Sequence, residues 1–167
     1  MFVEVGKQVS VENLIQGMIV QSGNDATVAL AEHVGGTEPT FVQMMNTYGK
    51  ELGMAGSRYT NSAGMPDPEH YTTARDSAIL SSALIREFPE YYRWYAQKEF
   101  TWNGITQQNR NGLLWRDPSV DGVKTGHTKS AGYCLVTSAK RGDMRLVCAV
   151  MGTDSMRDRE EASAALL

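Results

Sequence analysis

The sequence contains no apolar run long enough to span a bilayer and no charged leader followed by an apolar core. Nothing in it reads as a membrane helix or a secretion signal, so the chain as given is expected to be soluble. Its basic residues are scattered rather than run together and its formal net charge is −3, which excludes the electrostatic footprint of a nucleic-acid binder. There is no internal repeat and no low-complexity linker, and 167 residues at 41% hydrophobic suit one domain with a real core. Cysteine is scarce. Cys134 and Cys148 lie in neighbouring apolar segments, GYCLVTSA and MRLVCAVM, joined by Lys140-Arg141-Gly142-Asp143 at hairpin spacing. Their order about the turn places them opposite each other or one position out of register, and a one-residue slip sends them to opposite faces. Two buried free thiols are expected, which say little about compartment.

The first half of the chain has helical periodicity. Val11, Leu14, Ile15 and Met18 follow one helix face after Ser10, a suitable N-cap. Gly23 and Asn24 should end that helix. DATVALAEHV forms a second, closed by Gly35-Gly36. Thr37 and Pro39 open a third with Phe41, Met44, Met45, Tyr48 and Leu52 on its apolar face, closed by Gly53. Residues 56–71 are rich in Gly, Pro, Ser, Asn and Asp and predict an ordered loop. Thr73 with Asp76 then resembles a capping box for a helix to about Phe88.

The second half reads as strands. Asn103-Gly104 inside EFTWNGITQ is a strong hairpin signal, strand candidates follow at 120–125, 132–139 and 144–151, and a last helix begins near Arg157 and Asp158. Helices, then antiparallel strands, then a helix predict an α+β domain with helices packed on an antiparallel sheet.

Two stretches carry candidate chemistry. Lys124-Thr125-Gly126 places a cation, a hydroxyl and a residue without a side chain at the expected end of a strand, a seat suited to a carboxylate. A solvated lysine at a strand end is the plainer interpretation. Ser22-Gly23-Asn24 sits at a turn between helices, where these residue types are also ordinary turn formers. Together they are far more specific, because S-x-x-K, S-x-N and K-T-G form the signature of penicillin-binding proteins and class A β-lactamases.

The SGN variant followed by DATVALAEHVGG resembles the low-molecular-mass penicillin-binding proteins that are serine-type D-alanyl-D-alanine carboxypeptidases. The resemblance continues through FVQMMNTYGKELGM, YTTARDSAIL, KEFTWNGITQQNRNGLLW, VDGVKTGHTKSAGYCLV and MRLVCAVMGT, essentially the whole chain. It implies part of the β-lactamase/transpeptidase-like fold, trimming of the terminal D-alanine from peptidoglycan stem peptides through an acyl-enzyme, and reaction with β-lactams. No metal or other cofactor is implied. Ser22 would relay a proton to or from the leaving group, and Asn24 would hold the substrate amide and the neighbouring lysine. Lys124 would strengthen that relay and favour the anionic end of the substrate. Thr125, beside Gly126, would hydrogen-bond the terminal carboxylate. The backbone N–H of His127 would be one of two oxyanion donors, while its imidazole has no required role because the family uses lysine as base. Arg159 and Arg110 match family cleft residues, Arg159 helping to bind the carboxylate; its plainer role is a helix-surface charge paired with Glu160 or Glu161. The parent protein would be periplasmic and associated with the inner membrane.

The family nucleophile is the serine of S-x-x-K, and no serine here has lysine three places later. The resemblance places that motif upstream of Met1, so residues 1–167 are expected to be a partial catalytic domain. The N-terminal strands, the nucleophile helix and the C-terminal β domain with its anchor would lie outside it, and the isolated chain would be inactive. Strand 144–151 would then have an open edge, inviting self-association or pairing with a separate N-terminal fragment. Two alternatives stand beside this: a non-catalytic relic or D-alanyl-peptide binding module, and a β-lactamase or esterase of the same superfamily.

Overall fold

Ser10 Oγ accepts the backbone N–H of Asn13 at 3.2 Å, and from there the chain winds into α1, Val11–Gln21. The computed structural model describes residues 1–167. Helix α2 spans Asn24–Gly35, and α3 spans Glu38–Glu51 with Thr37 as N-cap and Pro39 in its first turn. A Cβ on Gly35 would lie 2.7 Å from the backbone nitrogen of Phe41, so only glycine allows this corner to close so tightly.

Helix α4 spans Ala74–Glu87, and Thr73 Oγ1 accepts the N–H of Asp76 as expected. The reciprocal half of the capping box does not form. The buried Asp76 carboxylate turns to the preceding loop instead, accepting the Gly56 N–H at 2.8 Å and the Ser57 hydroxyl at 2.7 Å. A short helix α5 (Pro89–Tyr92) and a 3-10 turn (Arg93–Ala96) lead to β1 (Glu99–Trp102) and β2 (Ile105–Gln108). Asn103 and Gly104 both have positive φ, 47° and 75°, the geometry of a two-residue hairpin turn. Helix α6 (Leu113–Arg116), strands β3 (Val120–Thr128), β4 (Gly132–Arg141) and β5 (Met144–Thr153), and helix α7 (Met156–Leu166) complete the chain. The four-residue helices α5 and α6 are too short to leave a periodic pattern in the sequence.

β3, β4 and β5 form an antiparallel sheet in that order, while β1 and β2 make a separate hairpin. Helices α4 and α7 pack against β4 and β5, giving the expected α+β architecture. One apolar cluster joins Leu113 and Leu114 to Val120, Leu135 and Ala139. A second packs Ile19 and Val20 of α1 on Phe100 of β1, flanked by Trp94, Tyr95 and Trp102. These clusters hold α1 and β3 in the positions that build the cleft.

Three expectations are corrected. β3 does not end at Thr125 but runs on to Thr128, with Gly126 opposite Cys134 and His127 opposite Tyr133, so Lys124 lies inside the strand. The cysteines are not opposite or one place apart: Cys148 pairs with Thr137, three residues from Cys134, and a register irregularity lies between Tyr133 and Leu135. Both thiols are free, but only Cys148 is buried. The buried face of α3 runs through Val42 and Gly49, while Met44 and Tyr48 are exposed. Phe41, Met45 and Leu52 are half-buried on that same side, so periodicity drew the apolar face too wide rather than misplacing it.

Candidate active site

Helix α1 ends at Ser22, which adopts the left-handed conformation at φ 55°, ψ 43°. For a residue with a side chain this costs about 1–2 kcal/mol. Two N–H groups hold the turn closed: those of Ser22 and Gly23 both donate to the Gly17 carbonyl, Gly23 at 3.2 Å. Helix α2 then starts at Asn24 without an intervening loop. Backbone strain held this firmly is typical of positions where a side chain must be aimed.

Lys124 approaches that corner from β3. Its Nζ donates to Ser22 Oγ, and also to the Thr125 carbonyl at 3.0 Å. Burial, with the nearby Arg110 and Arg159 guanidinium groups adding repulsion, lowers the Lys124 pKa to about 8. An amine so poised can donate to a hydroxyl or hold an anion near neutral pH.

Arg159 is carried by α7 and is 2% exposed, which removes the surface-charge interpretation. Glu160 pairs with Arg116 and Glu161 with Arg157, leaving neither for Arg159. Its Nη1 lies 3.4 Å from the Gly126 carbonyl and 3.5 Å from that of Cys134, and its Nη2 3.2 Å from that of Arg110. Its Nε has no partner, and burial pushes its pKa down. Tyr133 lies under the guanidinium at 5.7 Å, with the exposed His127 ring tilted by 30° against Tyr133 at 4.0 Å between centroids.

Lys124, Arg110 and Arg159 therefore meet at one place, and none of them makes an ion pair. The mostly buried Thr125 adds a hydroxyl to the same strand. A Cβ on Gly126 would meet nothing nearer than Cys134 Cβ at 3.8 Å, so the fold does not require glycine there. An anion with planar oxygens matches such a group of donors.

The structure brings Ser22 to Lys124, and Arg159 to the backbone of Arg110 and Gly126. It does not bring Asn24 to Lys124. The exposed Asn24 amide instead donates to Met65 Sδ at 3.6 Å. Two residues that carried no recognisable signal also shape the cleft. The side chain of Asn111, 1% exposed, donates to the Gly122 carbonyl at 3.1 Å and accepts the Leu113 N–H at 3.2 Å. Asn109 accepts the Asn111 N–H at 3.0 Å and donates to the Gln97 carbonyl at 3.0 Å. Between them they fix the turn that carries Arg110 and join it to β3. No group of three or more His, Cys, Asp and Glu side chains is placed to hold a metal ion.

Comparison with known proteins is consistent with this geometry. A family model described as D-alanyl-D-alanine carboxypeptidase, peptidase S11, matches residues 1–155. D-alanyl-D-alanine carboxypeptidase DacD of Escherichia coli K12 is 49% identical over 168 residues, covering 100% of this chain and 43% of that protein. The chain thus spans less than half the length of that curated relative. Penicillin-binding protein 5 from Haemophilus influenzae superposes with a TM-score of 0.96 at 50% identity, over 99% of this chain and 49% of that one. Penicillin-binding protein D2 from Listeria monocytogenes, solved in a cefotaxime-bound form, gives a TM-score of 0.88 at 30% identity, over 97% and 67%.

Proposed function

The chain belongs to the D-alanyl-D-alanine carboxypeptidase family, and we propose that residues 1–167 form the anion-binding and proton-relay wall of a cleft that removes the terminal D-alanine of peptidoglycan stem peptides. The observation that carries this reading is the set of three unneutralised cations, Lys124, Arg110 and Arg159, beside the Thr125 hydroxyl. A substrate ending in a free carboxylate supplies the missing negative charge.

In this proposal the Thr125 hydroxyl holds the carboxylate, with the exposed Arg110 adding charge at the rim and the more deeply placed Lys124 and Arg159 adding it from within. Ser22, hydrogen-bonded to Lys124, passes a proton to the leaving amine. The His127 N–H stabilises the oxyanion, and Gly126 gives the peptide room to lie along β3. Asn24 holds the substrate amide. The nucleophilic serine and its lysine come from sequence outside these residues, since no serine among them is followed by lysine three places on. β-Lactams react at the same serine. The site works in the periplasm, where peptidoglycan lies.

The test is labelling with a fluorescent penicillin followed by denaturing electrophoresis. Protein expressed from the complete reading frame should give a covalent band, and residues 1–167 alone should give none, because loss of the nucleophile costs on the order of a millionfold. A labelled band from residues 1–167 alone would overturn the assignment of the nucleophile.

A second reading is a D-alanyl-peptide binding module without catalysis, favoured by the presence of the carboxylate donors without S-x-x-K in the same 167 residues. An in-frame S-x-x-K preceding residue 1 would count against it. Rapid release of bound penicillin would favour a β-lactamase instead. The β5 edge is also proposed as a pairing surface. β5 is ten residues long and ends the β3-β4-β5 order, so one side of its backbone lacks a strand partner. Residues 1–167 should therefore associate in light scattering, and a stable monomer would remove this part.

A further inference from the structure

Met65 is 53% exposed, and a single exposed apolar side chain needs no explanation in itself. What distinguishes this one is the construction beneath it. The Asn61 side chain closes a ring on the Met65 backbone, accepting the Met65 N–H through Oδ1 at 2.9 Å and donating from Nδ2 to the Met65 carbonyl at 3.0 Å. Gly64 supplies the positive φ of 75° that this tight reversal needs.

The segment is tied to α3 at two more points. The Ser62 N–H and hydroxyl both donate to Glu38 Oε1, at 2.9 and 2.6 Å. Asn46 accepts the Tyr59 N–H at 2.9 Å and donates to the Tyr59 carbonyl at 2.8 Å. The Met65 side chain is thus presented by a fixed segment rather than by a loose loop tip. It is presented to the cleft, with its sulfur on the Asn24 amide at 3.6 Å.

We infer that Met65 is a specificity-determining residue: it forms the apolar rim on the acyl-donor side of the cleft, where it packs against an apolar or methylene-rich side group next to the amide that Asn24 holds. This rests on the cleft assignment proposed above. With Asn24 gripping the amide, the group attached to that amide lies beside whatever side chain the Asn24 amide itself touches, and that amide donates to Met65 Sδ. A thioether there suits chains of varied shape, because methionine is unbranched and polarizable. A fixed segment also spares the ordering cost that a mobile loop would incur on binding.

The experiment compares second-order acylation rate constants for benzylpenicillin, whose side-chain amide carries a benzyl group, and 6-acetamidopenicillanic acid, which keeps that amide but carries only a methyl group. The protein is expressed from the complete reading frame. Met65→Ala should lower the ratio of the two constants about tenfold, the discrimination that one apolar contact commonly gives. Met65→Leu should keep the ratio within about twofold. Asn61→Ala, which leaves Met65 chemically intact but releases its backbone, should lower the ratio as well. Thermal melts accompany each variant, and a loss of fold would lower both constants together without moving the ratio. An unchanged ratio in Met65→Ala overturns the inference while leaving the cleft assignment intact. Failure of the wild-type protein to acylate with either compound overturns the cleft assignment, and the inference with it.

Discussion

Lys124 and Ser22 are 102 residues apart in sequence, and the lysine ammonium donates to the serine hydroxyl across the junction of β3 with the α1–α2 corner. The contact ties the helical half of the chain to the sheet half at one polar point. Burial and the neighbouring Arg110 and Arg159 guanidinium groups disfavour the charged form of the lysine.

The first consequence is for stability. Lys124 has its pKa lowered to about 8 by burial, reinforced by Arg110 and Arg159, against an ordinary value of 10.5. Below pH 8 the lysine is charged in both the folded and unfolded chain, so the full cost of burying that charge is present, on the order of 3 kcal/mol. Between pH 8 and about 10.5 the folded form is neutral while the unfolded form stays charged, and the cost fades. Lys124→Met should therefore raise the melting temperature at pH 7, offset in part by the lost Ser22 hydrogen bond, and the gain should shrink by pH 10. Acylation in the complete protein should fall steeply in the same variant. A melting temperature that drops at pH 7 as steeply as activity would assign the lysine a purely structural role.

A second prediction reverses the first. A carboxylate bound against Lys124 raises the lysine pKa again, so binding near pH 8.5 should take up protons. Calorimetry of a D-alanyl-D-alanine peptide in two buffers of different ionisation enthalpy would read this directly. Uptake of a few tenths of a proton is expected, falling towards zero at pH 6.5, where the lysine is already charged. Proton release would contradict the arrangement.

Asn111 is the third case. Its amide is buried and joins the Gly122 carbonyl of β3 to the Leu113 N–H of α6. Asn111→Ala should leave the Leu113 N–H unsatisfied, while the Gly122 carbonyl keeps the Thr137 hydroxyl at 2.9 Å, and cost about 1–3 kcal/mol in urea denaturation. A loss below about 0.5 kcal/mol would show that the bonds are replaced by water.

The loop that carries Met65 should respond to acid. His70 accepts the Thr60 N–H through Nδ1 at 3.2 Å, and burial lowers its pKa below 6.5. A depressed histidine stabilises the fold above its unfolded pKa, and that contribution disappears as pH falls through the folded value. Imidazolium cannot accept the bond. Hydrogen exchange at Thr60, corrected for intrinsic rate, should speed up as the pH falls below the ordinary histidine value of about 6.5 in wild type but not in His70→Gln. Equal pH dependence in both would exclude the histidine.

Much of this architecture was visible in the amino-acid order. Ser10, Thr37 and Thr73 marked helix starts because a capping oxygen has few substitutes, and Asn103-Gly104 marked a hairpin because both positions need positive φ. The motif pair at Ser22 and Lys124 was visible for a chemical reason: a hydroxyl and a cation on opposite walls can be spaced widely in sequence but tolerate little change in kind. Other features were invisible because they depend on tertiary contact. The width of the buried face of α3 was ambiguous until Met44 and Tyr48 were seen lying outward. The end of β3 looked like a loop because glycine and threonine follow Lys124, yet the ladder to β4 carries the strand three residues further. Asn109, Asn111 and Met65 read as ordinary loop residues, since what matters is the backbone or amide each one meets.

The corner at Ser22 also limits how this region can vary in length. α1 ends and α2 begins within three residues, with no slack between them. Adding one residue to a helix turns everything beyond it by about 100°. A single insertion before Ser22 would swing its hydroxyl away from Lys124, whereas the Gly142-Asp143 turn lies at the far end of the β4–β5 hairpin, where added residues can loop into solvent. Length in this chain is therefore constrained unevenly, most tightly where two helices meet end to end.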